Sequence, residues 1–460
     1  MNTLTSVKPS GVADTIVDRV TVQMSSTPIY DKLRRKEATV ALVGLGYVGL
    51  PIALEFAKSF RVIGYDINKA RVGMMQQGID PSGELNKKDF ENKDIRFTTV
   101  PETLDYADVI IVAVPTPVSK DKSPDLTPLS AACSAIATSV GRGNIVIFES
   151  TVYPGCTEEV CIPILEEKSG LKCNQDFWVG YSPERINPGD KVNTLTQITK
   201  IVSGSDEYAA REIYNIYDHI IEAGIHLAPS MKVAEAAKIV ENTQRDVNIA
   251  LMNELSTFFE VLNINTHDVL SAAGTKWNFL NFYPGLVGGH CIGVDPYYLI
   301  HKAATVGVDL DVISSSRNTN DSMPRKVVDL VASSLQNQGK SIGTAKVLVL
   351  GATFKENVTD LRNSKAAEMS QIFTNVAAQV DIIDPHADGA EMQKYYNLML
   401  ADSIGEGYDA IVYAVSHDEF SHITWEFVDS IKATTTVVFD FKKLMGSPSA
   451  ESKSIQYLTL

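Results

Sequence analysis

The sequence predicts an α/β protein in which two doubly wound domains flank a long helical spine, and three observations carry that expectation. A glycine-rich loop joins a strand to a helix near the start, a long helix opened by Pro229 follows, and the last third repeats the strand and helix order of the first. Alternating strands and helices of this kind pack as parallel sheets covered on both faces.

The first signal begins at Thr39, where TVALV reads as a buried strand running into GLGYVG. Gly44, Gly46 and Gly49 keep the G-x-G-x-x-G spacing, LPIALEFAKSF reads as a helix, and RVIGYD is a second strand ending in Asp66. That order is the Rossmann dinucleotide fingerprint, with its acid about twenty residues past the glycines. Gly44 permits the tight turn, Gly46 lets the backbone approach a pyrophosphate, and Gly49 lets the helix pack on the strand. Tyr47 and Val48 complete the loop, and the helix N-terminus offers free N–H groups to phosphate. Asp66 would accept hydrogen bonds from ribose hydroxyls and repel a 2′-phosphate, so NAD is the expected cofactor, with Arg71 the one residue favouring NADP. The strands ADVIIVAVPTP and GNIVIFESTV follow. Thr116 and Ser150 at their ends face either the nicotinamide or only the local backbone of their turns.

From Pro229 the spine carries apolar residues at Val233, Ala237, Val240, Val247, Leu251, Leu255, Phe258 and Leu262. Lys238 and Asn242 lie four apart, hence on one face. They are either a functional pair or a solvated polar flank. In the last third AKVLVLGATF, VDIIDP, YDAIVYAV and TTVVFDF read as strands and KAAEMSQIFTNVAAQ as a helix. Gly351 stands there without a full fingerprint, so this domain is expected to bind the other substrate. The expected division is a polar extension over 1–36, an NAD-binding domain over 37–228, a central helical domain over 229–322, and a second Rossmann-like domain over 323–460.

A chain of 460 residues is too long for one ordinary core, which agrees with that division. Its five cysteines are odd in number and form no C-x-x-C, which argues against a disulfide framework or a zinc site and for a reducing, cytoplasmic setting. No metal is expected. No run of eighteen apolar residues and no signal-peptide core stand in the sequence, so neither membrane insertion nor export is indicated. A net charge of -15 disfavours nucleic acid as a partner.

Cys291 sits in GGHCIGVDPYY, after Gly288, Gly289 and His290 and four residues before Asp295. A lone cysteine is commonly structural, but the paired glycines and the NAD fingerprint favour a reactive thiol. A free thiol titrates near 8.5, so a neighbouring cation such as Lys238 would be needed to hold a thiolate. A dehydrogenase with such a thiol oxidises an aldehyde through a thioester.

With VGLGYVGLP, VPTP, ESTVYPGCTEE, YSPERINPGD, AEAAKIVENTQRDVNIALMNEL, PGLVGGHCIGVDPYYL and LGATFKENVTDLRNS in this order, the chain resembles the UDP-glucose/GDP-mannose dehydrogenases from Thr39 onward. It is most similar to their UDP-N-acetylhexosamine 6-dehydrogenases of surface-polysaccharide synthesis. The resemblance implies oxidation of a UDP-N-acetylhexosamine at C6 to the uronate, using NAD twice, with the UDP-sugar as partner and a homodimer or higher oligomer as the assembly. It implies Cys291 as nucleophile, Lys238 and Asn242 as oxyanion partners, Asp295 ordering the water and tuning the thiol, Glu184 assisting hydrolysis, and Thr116 beside them. Lys355 resembles a substrate-contacting lysine and Arg362 an arginine contacting NAD. Arg185, Tyr283, Gly285, Gly288 and Lys442 complete the expected substrate contacts, Lys442 standing where some relatives have arginine. The run CIGVD departs from the C-F-P-K-D-like run of the UDP-glucose enzymes, and His290 replaces a small residue. The alternatives are a UDP-glucose 6-dehydrogenase, a two-electron hydroxyacid-type dehydrogenase that leaves the thiol idle, and a catalytically silent nucleotide sensor.

Overall fold

The computed structural model describes residues 27–186, 190, 192–446 and 454–460. The first sheet is built from β1 (Thr39–Val43), β2 (Arg61–Tyr65), β3 (Ile95–Thr98), β4 (Val109–Val112), β5 (Ile145–Phe148), β6 (Trp178–Tyr181), β7 (Lys200–Gly204) and β8 (Ile225–Leu227). Its order is β3-β2-β1-β4-β5-β6-β7-β8, parallel except at β6 and β7. The order reverses between β1 and β4, and the crevice at their carboxyl ends is where such sheets take a ligand. Strands β1, β4 and β5 are buried almost throughout because helices cover both faces.

The second sheet contains β9 (Lys346–Leu350), β10 (Gln379–Ile383), β11 (Tyr408–Tyr413), β12 (Lys432–Asp440) and β13 (Ile455–Leu458), all parallel in the order β10-β9-β11-β12-β13. The first turn of each sheet is made alike. Gly44 and Gly351 both have φ +91°, and each donates its N–H to the strand beside it, at Tyr65 and Ile383. Asp66 and Asp384 then accept backbone N–H groups from the loop after each glycine.

The spine is the helix Met231–Val261, started by the Ser230 side chain accepting the Val233 N–H. Its face is the reverse of the one the apolar stripe suggests. Val233, Val240, Leu251, Phe258 and Leu262 are exposed. The face turned inward carries Glu235, Lys238, Asn242, Asp246 and Asn253. A second long helix, Asp311–Asn337, supplies partners for two of them: Arg317 pairs with Asp246 at 2.5 Å, and Asn320 bonds Asp246 and Asn253, while Glu235 accepts the Gly155 and Thr157 N–H groups. Buried charges need such pairing, and here it makes the polar face the inner one.

The helix Asp311–Asn337 runs through the expected boundary at 322/323, so the central and carboxyl-terminal domains share a continuous helix. Within the expected extension, the helix Ile29–Arg34 buries Ile29 and Leu33 against Phe56, Phe60 and Ile213, and Glu212 accepts the Tyr30 N–H. Residues 27–36 therefore belong to the first domain, and residues 1–26 of that extension lie outside the described residues.

Candidate active site

The glycine loop is shaped to take a dinucleotide. A Cβ on Gly49 would stand 1.9 Å from the Gly44 carbonyl oxygen, so the helix Gly49–Phe56 can start here only with glycine. A Cβ on Gly46 would meet nothing within 4 Å, which leaves open space for a phosphate to approach the backbone. Asp66 accepts the Leu45 N–H at 2.9 Å and the Asn68 N–H at 2.8 Å, fixing its carboxylate at the rim. Arg71 turns back and donates to the Leu45 carbonyl at 3.1 Å. That engagement weakens the one argument for NADP.

Cys291 is placed by a loop clamped from both sides. A Cβ on Gly288 would lie 2.6 Å from the Asn363 carbonyl oxygen, and Gly289, at φ +83°, packs against Phe354. The Cys291 carbonyl accepts the N–H groups of Val294 and Asp295, which opens the helix Asp295–Thr305 directly after the thiol. Asp295 is buried, and the Asn242 amide donates to its carboxylate at 2.6 Å. Lys238 and Asn242 are each only 7% exposed, which removes the reading of them as a solvated flank.

The electrostatics differ from expectation in one respect. Lys238 does pull the Cys291 thiol down, with help from Tyr47 and Arg245, but burial and the Asp295 charge push it up by more. The resting sulfur is therefore a thiol, and ionisation must accompany attack. Burial likewise raises Asp295 to about 6 against the pull of Lys238 and Asn242. The sequence offered no signal for Tyr47 beside the thiol: the glycine-loop tyrosine lies close enough to Cys291, across two domains, for each to shift the other's ionisation.

Around this cluster the other expected residues fall into two groups. Glu184 is buried after β6, and its carboxylate accepts the N–H groups of Arg185 and Ile186. Arg185 pairs with Glu241 on the spine at 2.8 Å. The Thr116 hydroxyl donates to the Thr151 carbonyl, while the Ser150 hydroxyl bonds the Val114 N–H and carbonyl. Each hydroxyl thus bonds the backbone of the other's turn and ties the ends of β4 and β5 together.

The second group lies between the central loop and the carboxyl-terminal domain. Gly285, Gly288, Lys355 and Lys442 line one cleft of about 120 Å³ together with Phe354 and Lys365. Asn253 holds the Gly285 backbone by both its N–H and its carbonyl. Lys442 pairs with Glu356 at 2.9 Å, and Lys365, which sequence reasoning missed, is buried against Asp321 at 3.0 Å. Tyr283 is exposed and stacks on His267, outside those lining residues. Arg362 is forked onto Asp360, whose carboxylate, with a smaller contribution from nearby Tyr47, holds the guanidinium in its charged form against burial. His290 sits edge-on to both Tyr47 and Phe354, 3.4 Å from Asp360, and burial lowers its pKa, so its ring is neutral at pH 7.

His386, His417 and Glu419 bring three metal-ligand atoms within 4.8 Å of one another. His417 is not available to an ion, however. Its Nδ1 accepts the Asn357 N–H, which leaves the proton on Nε2 for Asp384 at 3.0 Å.

Three models of the UDP-glucose/GDP-mannose dehydrogenase family match in order: the NAD binding domain at 38–221, the central domain at 232–322 and the UDP binding domain at 348–447. The chain is 46% identical over 417 residues to the UDP-N-acetyl-D-glucosamine 6-dehydrogenase of Salmonella typhi, covering 90% of this chain and 98% of that protein. It is 47% identical over 409 residues to protein CapL of Staphylococcus aureus, covering 89% and 96%. Among solved structures, the UDP-D-ManNAc dehydrogenase of Pyrococcus horikoshii superposes with a TM-score of 0.83 at 31% identity, covering 92% of this chain and 98% of that one.

Proposed function

Since the chain belongs to the UDP-glucose/GDP-mannose dehydrogenase family, we propose that it oxidises a UDP-N-acetylhexosamine at C6 to the uronate through a covalent thioester on Cys291. The observation that carries this reading is the convergence of Cys291, Asp295, Asn242 and Lys238 with Tyr47 of the glycine loop. A thiol set against the dinucleotide loop and beside a buried cation has no use in a two-electron alcohol oxidation.

NAD, held by Gly44, Gly46, Gly49 and Asp66, would accept one hydride from C6 in each of the two oxidations. The chain's own residues do the rest. Lys238 and the Asn242 amide face the oxygen at C6 and stabilise the charge that develops there. Cys291 adds to the aldehyde carbon, its proton passing toward the Asp295 carboxylate, and the thiohemiacetal so formed becomes a thioester in the second oxidation. Water then adds to the thioester carbonyl, the carbon–sulfur bond breaks, and Cys291 regains its proton. Glu184 takes the proton of the attacking water.

The cleft lined by Lys355, Lys442 and Gly285 suits the uridine diphosphate, and Arg362 the cofactor edge nearest Tyr47. The exposed stripe Val240, Leu251 and Phe258 on the spine, with Trp277 92% exposed nearby in sequence, suits a second copy of the chain. Among the described residues no helix is long and apolar enough to cross a membrane, and we assign the enzyme to the cytoplasm, where it supplies an activated uronate for surface-polysaccharide synthesis. The sugar assignment rests on the CIGVD run and on the relatives sharing nearly half the sequence. It is tested by NADH formation from UDP-N-acetylglucosamine, UDP-N-acetylgalactosamine and UDP-glucose at equal subsaturating concentrations. An acetamido sugar is expected to lead, since a site built to bond the acetamido group leaves those partners unmade with a plain hydroxyl. Equal rates with UDP-glucose would overturn the assignment.

A further inference from the structure

A buried group of charges beneath Glu184 is unused by the chemistry at Cys291. Glu184 has one carboxylate oxygen held by two backbone N–H groups. Its other oxygen, Oε2, is buried, and among the described residues it has no hydrogen-bond partner. Lys200 Nζ stands 3.6 Å from it. Lys200 opens β7 with its side chain 3% exposed, donating to Glu149 Oε2 at 2.5 Å and to the Pro183 carbonyl at 3.1 Å. Glu149, directly after β5, accepts the Tyr217 hydroxyl on its second oxygen, and the ammonium lies 5.3 Å from the Tyr217 ring centroid.

Two buried carboxylates therefore share one buried cation. The shortage of positive charge shows at Glu149, which burial and Glu184 push to about 7 although Lys200 pulls it down. A lysine buried only to neutralise Glu149 would need nothing from the Ser182–Pro183–Glu184 segment. Its bond to the carbonyl of the residue just before Glu184 ties it to the peptide that aims that side chain.

We propose that Lys200 is a positioning residue, which by bonding the Pro183 carbonyl and facing Glu184 Oε2 holds that oxygen in the orientation that takes the proton of the attacking water, while Glu149 and Tyr217 hold Lys200. This rests on the reading of Glu184 as the residue assisting thioester hydrolysis. A misaimed base slows that step alone, because both oxidations precede it.

The test compares Glu184→Gln, Lys200→Met and the double variant Glu149→Gln/Lys200→Met with the wild type. The double variant replaces the buried ion pair by neutral groups of similar size, so the only charge left there is that of Glu184, which two backbone N–H groups still hold. Stopped-flow NADH formation, intact-protein mass and a melting curve are recorded for each with NAD and UDP-N-acetylglucosamine. The double variant is expected to melt near the wild type, keep a fast NADH burst, and then turn over about tenfold or more slower. Acylated Cys291 should accumulate in it, as it should in Glu184→Gln. Wild-type turnover in the double variant, with no acylated protein, would show that Lys200 only neutralises Glu149. If Glu184→Gln itself accumulates no acylated protein, the reading of Glu184 is what fails. Should the double variant not fold, Glu149→Gln/Lys200→Leu carries the same expectations, since it too removes the bond to the Pro183 carbonyl without leaving Glu149 charged.

Discussion

On the proposed mechanism, protonation of Asp295 is expected to switch the site off below about pH 6. Its carboxyl is raised to about 6 by burial, and Lys238 and the Asn242 amide offset only part of that. Above this pH the carboxylate is ionised and can receive the Cys291 proton. One unit below it, about one molecule in eleven keeps the charge, so kcat/KM, which reports the free enzyme, falls about tenfold per pH unit. Glu149 and Glu235 are also pushed up by burial, each to about 7, so the assignment needs variants. The assay is NADH formation at subsaturating UDP-N-acetylglucosamine from pH 5 to 8 in wild type, Asp295→Asn, Glu149→Gln and Glu235→Gln. Wild type and both glutamate variants are expected to bend near pH 6, whereas Asp295→Asn is slow and flat. The same bend surviving in Asp295→Asn would refute the argument. The stability sign runs opposite to the activity, because a raised carboxyl contributes stability that is full below its unfolded pKa and lost as pH rises through the folded one. Asp295→Asn should therefore gain on wild type between about pH 4 and pH 6, by at most about 3 kcal/mol.

Lys238→Ala is expected to lower kcat by about a hundredfold or more, the scale of removing a preorganised partner of developing negative charge; a change confined to KM would make Lys238 a binding residue only. Asp66→Asn should relax the preference for NAD over NADP in kcat/KM, and equal use of both by the wild type would contradict the carboxylate's role. Leu251→Glu with Phe258→Glu should yield a monomer by analytical ultracentrifugation if the exposed spine stripe meets a second copy, while an unchanged assembly would place the contact elsewhere.

The parts legible in the sequence were those whose cause is local. A turn that requires φ +91° demands glycine at Gly44, and a helix start 1.9 Å from a carbonyl demands it at Gly49, so the nucleotide loop announced itself. The setting of Cys291 was legible for the same reason. What escaped depends on partners remote in the chain. The inward face of the spine is polar because Arg317 and Asn320 arrive from another helix to satisfy it, and no periodicity within the spine encodes that. Tyr47 touches a thiol 244 positions away, and Lys200 meets Glu149 and Glu184 from separate strands. The helix Ile29–Arg34 was too short and too polar to stand out, yet two apolar residues a turn apart suffice to anchor it.

The covalent, four-electron account is tested most directly by counting NADH against sugar. With UDP-N-acetylglucosamine limiting and NAD in excess, the wild type is expected to form about two NADH per sugar consumed and to release the uronate without free aldehyde, while Cys291→Ser forms no uronate although it still binds NAD, because the glycine loop is untouched. One NADH per sugar, or uronate formed by Cys291→Ser at a rate near the wild type, would contradict it.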